Sequence, residues 1–263
     1  MRQFIFITVQ GIFRDRVFKG IAIFAFIFLL IPSVSSLSMR QVVELSLTLS
    51  LSLISLMLLL LSLFLGGSSL WKDIERRYTY SVLSLPITRT KYLLSKFFGI
   101  VACLFLTSLV LGTVSCLVVR YVAWMYPPLR PVVWPNVFLS IFFIALKYIL
   151  LVAFAFLLST FSTSFFLPIF GTVAIFFAGS ATQQVYDFLQ SQSAFGYSPL
   201  LKKGANALYY VLPNFSAFDL TANAIYGVGL SYSGLVLTLG YFIVYTAIVL
   251  TLAAIVFSRR EMQ

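Results

Sequence analysis

The sequence predicts an all-α polytopic membrane protein with six transmembrane helices, and three observations predict it. Of the 263 residues, 61% are hydrophobic and 10% charged, with a mean hydropathy of +1.03, outside the range of soluble domains. Apolar runs of roughly 20 residues, the length a helix needs to cross about 30 Å of hydrocarbon, recur along the chain. Lysines and arginines gather at the ends of these runs, with a bias to one side. The net charge of +11 follows that bias, so the partner it implies is a lipid membrane and not nucleic acid.

Residues 2–19 read as an interfacial helix. Ile5, Val9, Ile12, Phe13 and Val17 recur at helical spacing, opposite Gln3, Gln10, Arg14 and Asp15. Arg2, Arg14, Arg16 and Lys19 anchor it to the cytoplasmic leaflet. The first apolar run continues too long for a signal peptide and lacks a small-residue cleavage site. Span 1 covers 20–37, with Pro32 near its outer end, and a short outer loop, 38–44, holds Arg40 and Glu44. Span 2, 45–65, alternates Ser/Thr with Leu at first, as a strand would. An open strand cannot sit in lipid, so a helix is expected. On a helix Thr48, Ser52, Ser55, Ser62 and Gly66 share a stripe that either packs closely or lines a hydrated translocation path.

Residues 68–96 form a polar interval between two apolar runs. Eight charged residues sit there, Lys72, Asp73, Glu75, Arg76, Arg77, Arg89, Lys91 and Lys96, of which six are positive. That excess predicts a cytoplasmic position. From Trp71 to Tyr80 charges alternate with Trp71, Ile74 and Tyr78, as in a short helix lying along a surface. Pro86 ends it, and a second short helix, Thr88 to Ser95, leads into the next span. The interval is either a positive anchor loop or a docking helix for a cytoplasmic partner.

Span 3 covers 97–119. Its two cysteines, Cys103 and Cys116, lie about 20 Å apart along a helix and cannot form a disulfide. The outer loop 120–136 carries Trp124, Tyr126, Pro127, Pro128 and Trp134, an interfacial aromatic belt. Span 4, 137–158, contains Lys147. An ionisable residue at that depth costs a few kcal/mol unless it pairs or snorkels, which makes it a candidate for the translocation path or for a buried packing role. An uncharged turn, 159–164, precedes span 5, 165–186. There Gly171, Ala174, Ala178 and Ala181 make a small-residue stripe, suited to a homodimer interface or to packing within the chain. Residues 187–234 are too interrupted to cross a bilayer and too apolar for a free loop, so short helices lying in or dipping into the outer leaflet are expected. Span 6, 235–257, stops at Ser258-Arg259-Arg260. Twelve Lys/Arg fall on the side of the termini and five on the other, placing both termini in the cytoplasm.

Several chemistries lack their parts. The chain has no histidine, which removes a His/Cys metal site and a Ser/His hydrolase within one chain. It has seven carboxylates, none clearly mid-span, so paired-carboxylate catalysis and a proton relay are missing their groups. There is no Gly-x-x-x-x-Gly-Lys-Ser/Thr phosphate loop. An enzyme is not expected.

Gly66-Gly67, Asp73-Ile74-Glu75-Arg76-Arg77, Val82-Leu83-Ser84-Leu85-Pro86-Ile87-Thr88-Arg89 and Tyr92-Leu93-Leu94-Ser95-Lys96-Phe97-Phe98-Gly99 together resemble ABC-2 type transporter permeases. Leu212-Pro213-Asn214-Phe215-Ser216-Ala217-Phe218-Asp219 is similar to that family's turn before its last span. The resemblance implies a permease subunit in a bacterial inner membrane, forming a homodimer and coupled to a separate ABC ATPase. This chain would bind no cofactor, with ATP and Mg²⁺ held on the partner subunit. It implies that 68–96 holds the coupling helix, with Trp71, Asp73, Ile74, Glu75, Arg76, Arg77 and Arg89 meeting the ATPase, that residues 2–19 are an elbow helix, and that re-entrant helices lie between spans 5 and 6. Arg76-Arg77 departs from the single basic residue usual there. The aromatic and serine-rich surfaces suit export of an amphipathic or lipid-like substrate, and equally suit plain helix packing. The other readings are a maturation-type permease with non-lipid cargo, and a secondary transporter or membrane scaffold that uses no ATP. No inverted repeat is visible to favour a secondary transporter.

Overall fold

The computed structural model describes residues 30–36, 41–75, 88–128, 130–190 and 209–259, with the isolated positions 10, 11, 20 and 204. The interfacial helix expected over 2–19, nearly all of span 1, and most of 187–208 lie outside the described residues. Every element among the described residues is helical: α1 (Ile31–Ser35), α2 (Val42–Leu61), a π-turn (Ser62–Gly66), α3 (Gly67–Glu75), α4 (Arg89–Met125), α5 (Trp134–Phe161), α6 (Phe166–Gln190), a 3₁₀ turn (Phe215–Phe218), α7 (Thr221–Tyr226) and α8 (Tyr232–Arg259). Five stretches are long and apolar enough to cross a membrane: Val42–Asp73, Arg89–Met125, Trp134–Phe161, Phe166–Leu189 and Tyr232–Arg259. These correspond to spans 2 to 6 of the sequence reading.

The long helices overrun the expected bounds. At about 1.5 Å per residue, the 28 residues of α5 reach about 42 Å, more than the hydrocarbon thickness. The expected loop 38–44 gives up Glu44 to α2, and the loop 120–136 shrinks because α4 continues to Met125 and α5 starts at Trp134. Pro135 sits in the first turn of α5, where a missing N–H costs nothing. Thr88 caps α4 by accepting from the Lys91 N–H.

The larger departure concerns the polar interval. The sequence suggested that span 2 ends at Leu65 and that a separate surface helix begins at Trp71. Instead α2 runs through the π-turn directly into α3 as one rod. The physical reason lies in the Gly66-Gly67 pair, which permits close backbone contact and does not stop the helix. A Cβ at Gly66 would stand 3.1 Å from Ala155 Cβ of α5, and one at Gly67 would stand 3.1 Å from Ile169 Cγ1 of α6. Ser159, buried on α5, donates to the Gly67 carbonyl at 3.1 Å and to its own Ala155 carbonyl at 2.7 Å. The second short helix expected over Thr88–Ser95 is likewise the first two turns of α4.

The core is built on α5, which packs against α2, α4, α6, α7 and α8. Its sequence is apolar on every side, the pattern of a helix surrounded by others. Phe143, Tyr148, Leu150, Leu151, Val152 and Phe156 are all buried. The outer helices keep apolar residues facing outward, including Leu109 and Leu117 on α4, Phe170 and Phe177 on α6, and Leu237 and Ile243 on α8. So much exposed apolar surface is what a lipid-facing bundle presents.

Between α6 and α8 the chain folds inward along α5. Asn214 accepts from the Ser216 N–H at 3.1 Å, which starts the 3₁₀ turn, and Asp219 Oδ1 accepts from the Thr221 N–H at 3.0 Å ahead of α7. Phe215 and Phe218 are fully buried. The turn fits because Gly179, midway along α6, has no side chain where the Pro213 carbonyl and the Phe215 ring press against it. Gly227, at φ +65°, ends α7 in the left-handed conformation that favours glycine. Asn136 Nδ2 then donates to the carbonyls of Asn223 and Val228, both at 3.0 Å. Residues 213–228 thus run from the middle of the bundle to the first turn of α5. The sequence anticipated short helices in this segment, and the 3₁₀ turn and α7 are such pieces.

Candidate functional site

Two groups of polar residues stand out within the apolar bundle. The first joins the ends of the polar interval. Asp73, on the last turn of α3, accepts from the Lys96 ammonium and from the Tyr92 hydroxyl of α4. Lys96 also donates to the Ser69 carbonyl at 2.6 Å. The Lys96 side chain is 9% exposed and that of Asp73 27%, so the pair is largely withdrawn from water. A buried ammonium needs such a partner, because an unpaired charge there carries the full desolvation cost. At the same end Arg89 Nη1 donates to the Ser258 carbonyl at 3.1 Å, tying the start of α4 to the end of α8.

The expected partner-facing residues fall as follows. Trp71 is half-buried, with its ring packed edge-on against Phe165 at 5.2 Å between centroids. Asp73 is committed to Lys96 and Tyr92. Arg89 bonds within the chain. Ile74 and Glu75 lie on the last turn of α3, and only their backbone is described; Arg76 and Arg77 lie outside the described residues. Lys96, which the sequence reading counted as one more surface positive charge, is buried. Its partner lies 23 residues away, a spacing with no local sequence signature.

The second group lines a cleft of about 360 Å³ between α2, α5, α6 and the 3₁₀ turn. Lys147, halfway along α5, and Asp219 both face it, with Ser52, Ser55, Tyr148 and Thr221. Leu51, Leu56, Leu59, Ile144, Phe176 and Phe218 make the apolar remainder. The Lys147 ammonium stands 5.3 Å from the centroid of the Phe176 ring and 5.7 Å from that of Tyr148, within range of a cation–π interaction. Ser55 and the Tyr148 hydroxyl share a hydrogen bond of 2.5 Å. The structure therefore brings together three of the four expected path residues: Ser52, Ser55 and Lys147. Thr48 is not among the cleft residues; its hydroxyl donates to the Glu44 carbonyl at 2.8 Å one turn back. The sequence reading missed Tyr148, Phe176, Asp219 and Thr221. The only signal for Asp219 was its place as the one charge in the turn 212–219.

The small-residue stripe of α6 divides. Gly171 packs within the chain, since a Cβ there would meet Leu158 Cδ1 of α5 at 2.8 Å. Ala174, Ala178 and Ala181 are exposed. Cys103 and Cys116 are free thiols on α4. No protein-family model and no curated protein matches this chain.

Proposed function

We propose that the chain is the membrane-spanning subunit of an ABC-2 type exporter in a bacterial inner membrane, with both termini cytoplasmic. It works as a homodimer with a separate ATPase that carries ATP and Mg²⁺, and its cargo is amphipathic or lipid-like. One observation carries the reading: Asp73 joins α3 to α4 through Lys96 and Tyr92. The polar interval that resembles the family's coupling region is thereby tied together at its two ends. A push applied between residues 76 and 87 reaches α2 through the unbroken α3 rod, and reaches α4 through Asp73. Because Gly66-Gly67 is wedged against α5 and α6, the same displacement bears on the helices that wall the Lys147 cleft. The 213–228 arm serves as a re-entrant segment from the outer side.

A photo-crosslinking residue in place of Arg76, in the full chain in its native membrane, tests this. The expected product is a single adduct to a protein that binds ATP, with ATP hydrolysis in the purified complex. Adducts to lipid alone, or to a protein with no nucleotide binding, would overturn it. The second reading, a transporter that uses no ATP, draws on Lys147 and Asp219 lying in one cleft; cargo movement in vesicles lacking any ATPase would establish it instead.

A further inference from the structure

We infer that the Lys147 cleft is a binding site for a single-chain amphiphile with a zwitterionic head group, its anion on Lys147 and its cation on Asp219. The two side chains face one cleft but form no ion pair with each other, unlike Lys96 and Asp73. Lys147 has aromatic faces as neighbours and no hydrogen-bond acceptor among the described residues. Asp219 accepts from the Thr221 N–H through Oδ1 and lines the cleft. Lys147 is half-buried and Asp219 is exposed at the cleft, and each charge attracts an opposite one and repels a like one the more strongly the less water lies between them.

That pair of charges selects among head groups. A purely anionic group would satisfy Lys147 and be repelled by Asp219, and a purely cationic group the reverse. A neutral group would leave the two charges matched only by each other across the cleft. A head group with both charges satisfies the two at once. The hydroxyls of Ser52 and Thr221 line the same space and offer hydrogen bonds to it, while Leu51, Leu56, Leu59 and Ile144 continue the wall with apolar surface for a chain. A site of this size with an apolar lining and a few convergent polar groups has the usual make-up of a small-ligand site.

The site stands on the cleft alone; that its ligand is transported cargo rests on the exporter reading. The experiment therefore uses the purified full chain in detergent, without ATPase or nucleotide. Binding of a lysophosphatidylcholine is measured by native mass spectrometry, against a lysophosphatidic acid, a monoacylglycerol and free phosphocholine. The expected result is saturable binding of one lysophosphatidylcholine per chain, at least tenfold tighter than any of the other three. Lys147→Met keeps the stem and removes the charge, and should weaken binding about tenfold or more. Asp219→Asn keeps an oxygen to accept from the Thr221 N–H, and should weaken the zwitterion while strengthening the lysophosphatidic acid. Ser52→Leu fills the cleft without touching either charge and should abolish binding. Each variant is first matched to the parent in elution volume and unfolding temperature; should Lys147→Met not fold, the Asp219→Asn reversal decides. Equal binding of the monoacylglycerol, or an unchanged head-group preference in Asp219→Asn, would overturn the assignment. Zwitterion binding without transport would leave the site standing and count against the exporter alone.

Discussion

At the scale of single residues, the chain holds its few polar contacts inside an apolar bundle, so each is costly to disturb. Lys96 illustrates the point. In Asp73→Leu its ammonium keeps its burial and loses its counter-charge, which costs about 3 kcal/mol, at the lower end for a broken buried pair because Asp73 is partly exposed. Asp73→Leu/Lys96→Met removes both charges and should recover part of that loss, measured by thermal unfolding in detergent. A double variant no more stable than the single one would mean that Lys96 is not held by Asp73. Gly179 gives a test based on packing. A Cβ there would stand 2.7 Å from the Phe215 ring, so Gly179→Ala should cost about 1–3 kcal/mol by overpacking. Gly240, with nothing within 4 Å of its own added Cβ, provides the control: Gly240→Ala should be neutral or slightly stabilising, since it lowers the backbone entropy of the unfolded chain.

At the scale of elements, the decisive feature is continuity. The α2–α3 rod carries one π-turn, a distortion that tends to occur at functional positions in helices. It allows the Gly66-Gly67 pair to sit against α5 and α6 without ending the helix. The 213–228 arm is held differently, by capping bonds and by Asn136. Asn136→Ala removes two hydrogen bonds, each worth about 1 kcal/mol. Amide exchange over 221–228 should then quicken by roughly tenfold or more, while the middle of α5 stays protected. Uniform loosening of α5 and the arm together would show instead that the two unfold as one unit.

At the scale of the molecule, the apolar faces of α4, α6 and α8 point away from α5 and are suited to lipid or to a second copy. On α6 the geometry separates residues that serve the fold from residues free for association. Single cysteines at Ala174 or Ala178 should cross-link between copies if the proposed homodimer meets at this face. A cysteine at Gly171, which packs on Leu158, should not cross-link, and a bulky Gly171→Leu should destabilise the monomer itself. No cross-link from Ala174, Ala178 or Ala181 would move the dimer contact to another helix.

Composition and periodicity alone determined that this protein is helical and that its long helices are long and apolar enough to span a membrane, because both depend on local patterns that a helix or a bilayer reads directly. Lys147 was also legible, since a charge in an apolar run is conspicuous wherever the run folds. Only the tertiary structure decided what the polar residues do. Asp73 meets Lys96 across 23 positions and Ser55 meets Tyr148 across 93, and Lys147 shares its cleft with Asp219 through an arm that folds back along α5. The same holds for Gly66-Gly67, which looked like a helix end and is a packing contact: glycine stops a helix where the backbone is free to turn, but here the helix runs on with its neighbours pressed against the pair.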